Sequence, residues 1–131
     1  MPDIHVSAAI IRDATGRVLV VRKNGTTRFM QPGGKPEAGE TAAETLVREL
    51  HEELGLVCAV EDLTPLGVFI SAAANEPGHR VVATAFSMTA EEDDVQVQAE
   101  IAELRWITPT DARTLPLAPL SEEHLLPIAW G

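Results

Sequence analysis

Arg48, Glu49, Glu52 and Glu53 bring one guanidinium and three carboxylates together within six positions. Wound as a helix at roughly 100° per residue, the three glutamates lie within an arc of about 100°. Measured from Glu49, Ala43, Leu46, Leu50 and Leu54 fall on the neighbouring arc of about 60° to 140°, so the acids border an apolar, core-facing stripe. Like charges at the edge of a low-dielectric core repel and raise one another's pKa values. A divalent cation offsets that repulsion, and Mg²⁺ in particular is held by few carboxylates together with water and substrate phosphates. Arg48 is spaced four residues from both Glu44 and Glu52, so it is expected to bridge to these acids and orient them. Helix periodicity alone also fits an ordinary solvated glutamate face.

The neighbouring residues separate the two readings. The run GKPEAGETAAETLVRELHEELGL, Gly34 to Leu56, resembles the Nudix box: Gly, five residues, Glu, seven residues, then Arg-Glu-apolar-any-Glu-Glu-any-Gly-apolar. Every specified position is met, and from average residue frequencies such a match arises at a given start with a probability on the order of 10⁻⁹ or less. The resemblance implies an α/β fold, an α/β/α sandwich with a central mixed β-sheet. It makes Glu49, Glu52 and Glu53 metal ligands or catalytic acids, with Arg48 as their partner and Glu40 as a support at the start of the helix. Glu49 or Glu52 is the expected general base. The Gly33 carbonyl would be a further metal ligand, since a backbone comes close to a metal or phosphate only without an intervening side chain. In MutT-like members a further acid often precedes an aromatic of a late strand. Glu100, six residues before Trp106, is the candidate here and Glu103 its rival. Lys35, with Gly34 beside it, is a candidate substrate contact. The implied cofactor is Mg²⁺, with Mn²⁺ as an alternative.

The reaction so implied is attack of a metal-activated water on one phosphorus of a diphosphate. The expected substrate is a small nucleotide, a nucleoside triphosphate or a derivative. Nucleotide sugars and dinucleoside polyphosphates are alternatives, because the loops that select among them lie outside the box. A catalytically idle nucleotide sensor is the rival from another class, and the intact Arg48, Glu49, Glu52 and Glu53 oppose it.

The elements that must position these residues can be read from pattern. His5 to Ile11 and Val18 to Val21 are β-branched runs joined by the turn residues Asp13 to Gly16, which predicts two strands. Gly25 to Lys35 reads as a loop. Thr41 and Glu44 form a capping box and Gly55 stands at a stop position, predicting a helix from Thr41 to Leu54. Leu66 to Ile70, Val81 to Phe86 and Leu104 to Ile107 are further expected strands. Ser121 to Leu126 is expected to start a last helix that Pro127 kinks or ends. The acidic run Glu91 to Asp94 reads as a solvated loop.

Length and composition set the outer bounds. With 131 residues and 45% hydrophobic content, one domain over residues 1–131 is expected. Twenty acidic against ten basic residues give a formal charge of −10, which opposes binding to a polymeric nucleic acid or an anionic membrane surface. Cys58 is the single cysteine, expected to be a small buried residue in a reducing compartment. No basic segment leading into an apolar one opens the chain, so a cytoplasmic location is the default expectation. A homodimer accords with base rates, although no residue marks an interface. Arg22, Lys23 and Arg28 read as solvated basic residues. His51 falls roughly 160° from Glu49, and His5, His79 and His124 lack metal-ligand spacing. Phe86 and Trp106 read as core. With no tyrosine in the chain, base recognition would fall to backbone groups, Asn75 or apolar contacts.

Overall fold

The computed structural model describes residues 3–74 and 76–131. Asn75 lies outside the described residues. Strand β1 (Asp3–Arg12) turns into β2 (Val18–Lys23), and helix α1 (Ala42–Leu54) is followed by β4 (Thr64–Ala72), β5 (Arg80–Thr89) and β6 (Ile101–Ile107). A two-residue strand β3 (Gly33–Gly34) precedes α1. The short helix α2 (Pro109–Ala112) and a C-terminal helical segment ending in α3 (Leu126–Trp130) close the chain.

The sheet order is β4-β5-β1-β2-β6, with β3 paired to β1. β1 runs parallel to β5 along its whole length, while β4 pairs β5 and β6 pairs β2 antiparallel, so the sheet is mixed. Between β1 and β2 the recorded partners are Arg12 and Val18, next to the turn. Further along, Gly33 and Gly34 take the place beside Ala8 and Ser7. The expected Gly25 to Lys35 loop therefore contains a piece of sheet. A wedge between two diverging strands needs backbone that approaches closely. A Cβ on Gly33 would overlap the Ser7 carbonyl, and Gly33 holds φ at +151°, a region open to glycine and few others.

Side chains alternate across the sheet with a period of two. Ala9, Ile11, Leu19 and Val21 pack with Leu46, Leu50 and Leu54 of α1 on one face. Ala8, Ile10, Val18 and Val20 pack with Leu125 and Leu126 on the other. This is the α/β/α sandwich expected from the box. The strands run longer than their β-branched cores, because backbone pairing extends over polar ends such as Asp3 and Arg80, which form an ion pair at 2.9 Å. Pro127 does not end the final helix. The chain is helical over residues 119–130, and Ser121–Leu125 forms a π-type turn in which the Leu126 N–H bonds to the Ser121 carbonyl. A proline ring clashes with the carbonyl four residues back, and the wider turn accommodates it. The Glu91 to Asp94 run is exposed as expected but makes one 3-10 turn over Glu92–Asp94, with Glu92 3.0 Å from Arg17. Cys58 is half-buried rather than buried, and its burial raises the thiol pKa.

Candidate active site

Helix α1 starts and stops as its sequence predicts. The Thr41 hydroxyl accepts from the Glu44 N–H at 3.1 Å and the Glu44 carboxylate accepts from the Thr41 N–H at 2.9 Å. Such caps contribute about 1 kcal/mol each. Gly55 closes the helix at φ +66°, with its N–H bonded to the His51 carbonyl. Leu46, Leu50 and Leu54 are fully buried against the sheet, and this fixes the rotation that sets Glu49, Glu52 and Glu53 along the seam with β3.

The three acids differ in surroundings. Glu53 is 5% exposed and accepts the Gly33 N–H at 3.2 Å. Burial pushes its carboxyl up to about 7, opposed by that hydrogen bond and by Lys23, and aided by Glu49 and Glu100. Glu49 is partly buried and is also raised to about 7, first by burial and then by its hydrogen bond to Glu52, with Arg48 and Lys23 acting against the rise. Glu52 is exposed. Gly34 lies so close to Glu49 that a Cβ there would overlap the carboxylate. The second glycine of the pair is thus required by the acid that it faces, the first by the strand behind it.

Arg48 departs from the expected pairing in one respect. It does reach Glu52, at 3.3 Å, but Glu44 is engaged in the capping box and its place is taken by Glu40. Arg48 Nε donates to Glu40 Oε2 at 2.7 Å and Nη2 to Oε1 at 3.0 Å, a two-point grip of the kind that fixes geometry as well as charge. Glu40 also accepts from the Thr45 hydroxyl and the Glu37 N–H. Arg48 first, and then these bonds, hold the Glu40 carboxyl down at about 2. Arg48 further donates to the Lys35 carbonyl at 3.0 Å and lies 3.4 Å from Glu49. One side chain therefore ties the segment entering the helix to the acids at its far end.

The two late-strand acids separate because β6 begins at Ile101, earlier than its apolar run implies. Glu103 pairs opposite Arg22 and forms ion pairs with Arg22 at 3.4 Å and Arg105 at 2.7 Å. Both guanidinium groups lie over Phe29, which packs on the α3 face. Glu103 is therefore turned away from α1. Glu100 is exposed, in the turn before β6, and its charge is felt at Glu53. Lys35 is exposed next to the glycine pair. His51 is exposed, and Trp106 packs partly buried against the α1-face core.

Lys23 is more than the solvated basic residue its sequence suggests, because its charge acts on both Glu49 and Glu53. The alternation of β2 carried the signal: Leu19 and Val21 face α1, and Lys23 is the next residue of that parity. Arg22, one position earlier, faces the other way, and Arg28 is spent on the Leu117 carbonyl. Gln31 carries no comparable signal in the sequence. It is 6% exposed, and its Nε2 is one of two buried side-chain polar atoms without a partner among the described residues, the other being Trp106 Nε1.

The donors on this seam are hard carboxylate oxygens, and burial with mutual repulsion has pushed two of the acids towards the protonated state. Both features suit a hard divalent cation. Among the described residues no three His, Cys, Asp or Glu side chains are grouped so as to hold a metal ion by themselves, and a Mg²⁺ ion that keeps several waters and substrate oxygens is held by one or two carboxylates.

A family model for the NUDIX domain matches residues 1–130. The chain belongs to the Nudix family. Over 64 residues this Nudix domain is 41% identical to the 8-oxo-dGTP diphosphatase of Haemophilus influenzae, covering 46% of this chain and 47% of that protein. Over 80 residues it is 40% identical to the ADP-ribose pyrophosphatase of Methanocaldococcus jannaschii, covering 60% and 46%. The chain thus spans about half the length of these curated relatives. The crystal structure of the MutT protein from Methanosarcina mazei matches with a TM-score of 0.74 at 23% identity, covering 98% of this chain and 93% of that one. At that identity the likeness is one of fold. No helix among the described residues is long and apolar enough to cross a membrane.

Proposed function

We propose that this Nudix domain, read as one unit over residues 1–131, is a divalent-metal-dependent hydrolase. It cleaves a phosphoanhydride bond in a nucleoside-diphosphate-linked small molecule, a nucleoside triphosphate or derivative in the first place. The observation that carries this reading is the acidic seam itself: Glu49 and Glu53, both raised to about 7, beside Glu52 and braced by Arg48. Glu49, Glu52 and Glu53, with Glu100 and the Gly33 carbonyl, are the groups that would hold Mg²⁺ or Mn²⁺. When bound, the metal supplies Lewis-acid polarisation of the phosphate and a lowered pKa for its water.

The chain's own residues do the rest. A general base must lie within hydrogen-bond reach of the water whose proton it takes, and Glu49, partly buried beside Gly34, and Glu52, exposed on the next turn of α1, are the two candidate acceptors. Arg48, gripped by Glu40, keeps Glu49 and Glu52 from turning away from each other. Gly33 and Gly34 let the diphosphate approach the acids, and Lys23 and Lys35 offer positive charge where a net −10 chain would repel an anion. A nucleotide sugar is the second reading of the substrate, favoured by the similarity to an ADP-ribose pyrophosphatase.

The test is incubation with Mg²⁺ and a panel of nucleoside triphosphates, nucleotide sugars and dinucleoside polyphosphates, beside a Glu52→Gln/Glu53→Gln variant. Metal-dependent release of phosphate products, absent in the variant, is the expected result. Binding without turnover across the panel would replace the hydrolase by an idle sensor.

A further inference from the structure

A cavity of about 160 Å³ opens on the α3 side of the sheet, beyond the glycine pair. Its walls are largely apolar, from Val6 and Ala8 of β1 and Val81 of β5, and Gly34 and Lys35 border it towards α1. Gln31 and Ser121 line it as well. The Ser121 hydroxyl donates to Gln31 Oε1, and Nε2 of this amide, which is 6% exposed, has no partner among the described residues. A buried donor without a partner is costly, and native structures nearly always supply one. Gln31 lines the cavity while its Nε2 is closed off from solvent, so a small shift of the side chain would present the donor to a ligand acceptor there.

Gly34 borders this cavity and also abuts the Glu49 carboxylate. A molecule whose diphosphate lies at the acids therefore places its other end here. A sugar would need several polar partners, whereas a flat heterocycle can bury its faces on Val6, Ala8 and Val81 and turn one polar edge to Gln31. We propose that Gln31, its amide oriented by Ser121, is the specificity-determining residue for the base, donating from Nε2 to an exocyclic carbonyl and so favouring oxo over amino heterocycles. An amino group at that position would set N–H against N–H. This inference rests on the reading that the diphosphate is held along α1.

The test uses nucleosides, which carry no phosphate and need neither metal nor turnover. Binding of inosine against adenosine, and of uridine against cytidine, is followed by ligand-observed NMR titration for the wild type, Gln31→Leu and Ser121→Ala. The oxo member of each pair is expected to bind about tenfold more tightly, since a site built around a hydrogen bond rejects the analogue that cannot make it. The ratio should collapse towards one in Gln31→Leu. It should relax in Ser121→Ala, where the freed amide can turn Oε1 to an amino group. Gln31→Leu removes the unpaired Nε2 and also the acceptor of the buried Ser121 hydroxyl, so melting temperatures are measured beside the titrations to show that each variant is folded. Equal binding within each pair, a ratio that survives Gln31→Leu, or no binding of any nucleoside overturns the proposal. Because hydrolysis is not the readout, failure of the turnover panel and failure of base selection are separate results.

Discussion

Glu53 combines near-complete burial with a carboxyl at about 7, against an ordinary value of 4.5. Between those two values the folded chain keeps a proton that the unfolded chain has lost, so stability falls as pH rises through that window and levels off above it. In Glu53→Gln an amide oxygen can still accept the Gly33 N–H, and the buried charge is gone. With EDTA at pH 8 the variant should therefore melt at a higher temperature than the wild type, by up to about 3 kcal/mol of stability. Metal-dependent turnover should fall about 10²-fold or more. Calorimetric melts alongside activity assays check both, and a lower melting temperature would show that the ionised carboxylate is stabilising in the fold. A pH–rate profile whose acidic limb moves in Glu49→Asp but not in Glu52→Asp would favour Glu49 as the base.

At the scale of elements, β3 and α1 together carry the proposed site, and the two glycines of β3 are expected to fail differently when substituted. Gly33→Ala places a methyl on the Ser7 carbonyl of β1 at a positive φ, so it should lower the melting temperature markedly, by about 2 kcal/mol or more. Gly34→Ala meets the movable Glu49 side chain instead, so it should keep most of the stability and lose turnover. Equal stability losses in both variants would mean that β3 serves only the fold. Arg48 links the start of α1 to its acidic face. Glu40, held at about 2, contributes stability that is present above its unfolded value of 4.5 and is lost as pH falls towards 2. Arg48→Met should flatten that acid limb in a melting series from pH 5 to pH 2, and should raise the Mg²⁺ concentration needed for half-maximal turnover.

For the molecule as a whole, a formal charge of −10 with acids massed along one seam means that a divalent cation should act as a folding ligand. A ligand bound only by the folded state adds about 2.7 kcal/mol at a hundred times its dissociation constant. Saturating Mg²⁺ should therefore raise the melting temperature and suppress its decline between pH 4.5 and 7, because the cation takes over the role of the proton on Glu49 and Glu53. Melts at fixed ionic strength with Mg²⁺ or Na⁺ separate site binding from general screening.

The spacing from Gly34 to Leu56 determined the family, the helix with both of its caps, and the face that carries Arg48, Glu49, Glu52 and Glu53. These are local properties: a 3.6-residue period and a capping box act within a few turns of chain. The β-branched runs His5 to Ile11 and Val18 to Val21 likewise marked the first two strands. Only the tertiary structure decided that Glu40 rather than Glu44 grips Arg48, because the partner comes from a segment folded back along the helix. Only strand register decided that Glu103 turns to Arg22 and Phe29 while Glu100 stays within electrostatic reach of Glu53, since a shift of one residue exchanges the faces of a strand. The burial that raises Glu53, and the Gln31 Nε2 left without a partner among the described residues beside an apolar cavity, depend on chain segments far apart in sequence, which no local pattern brings together.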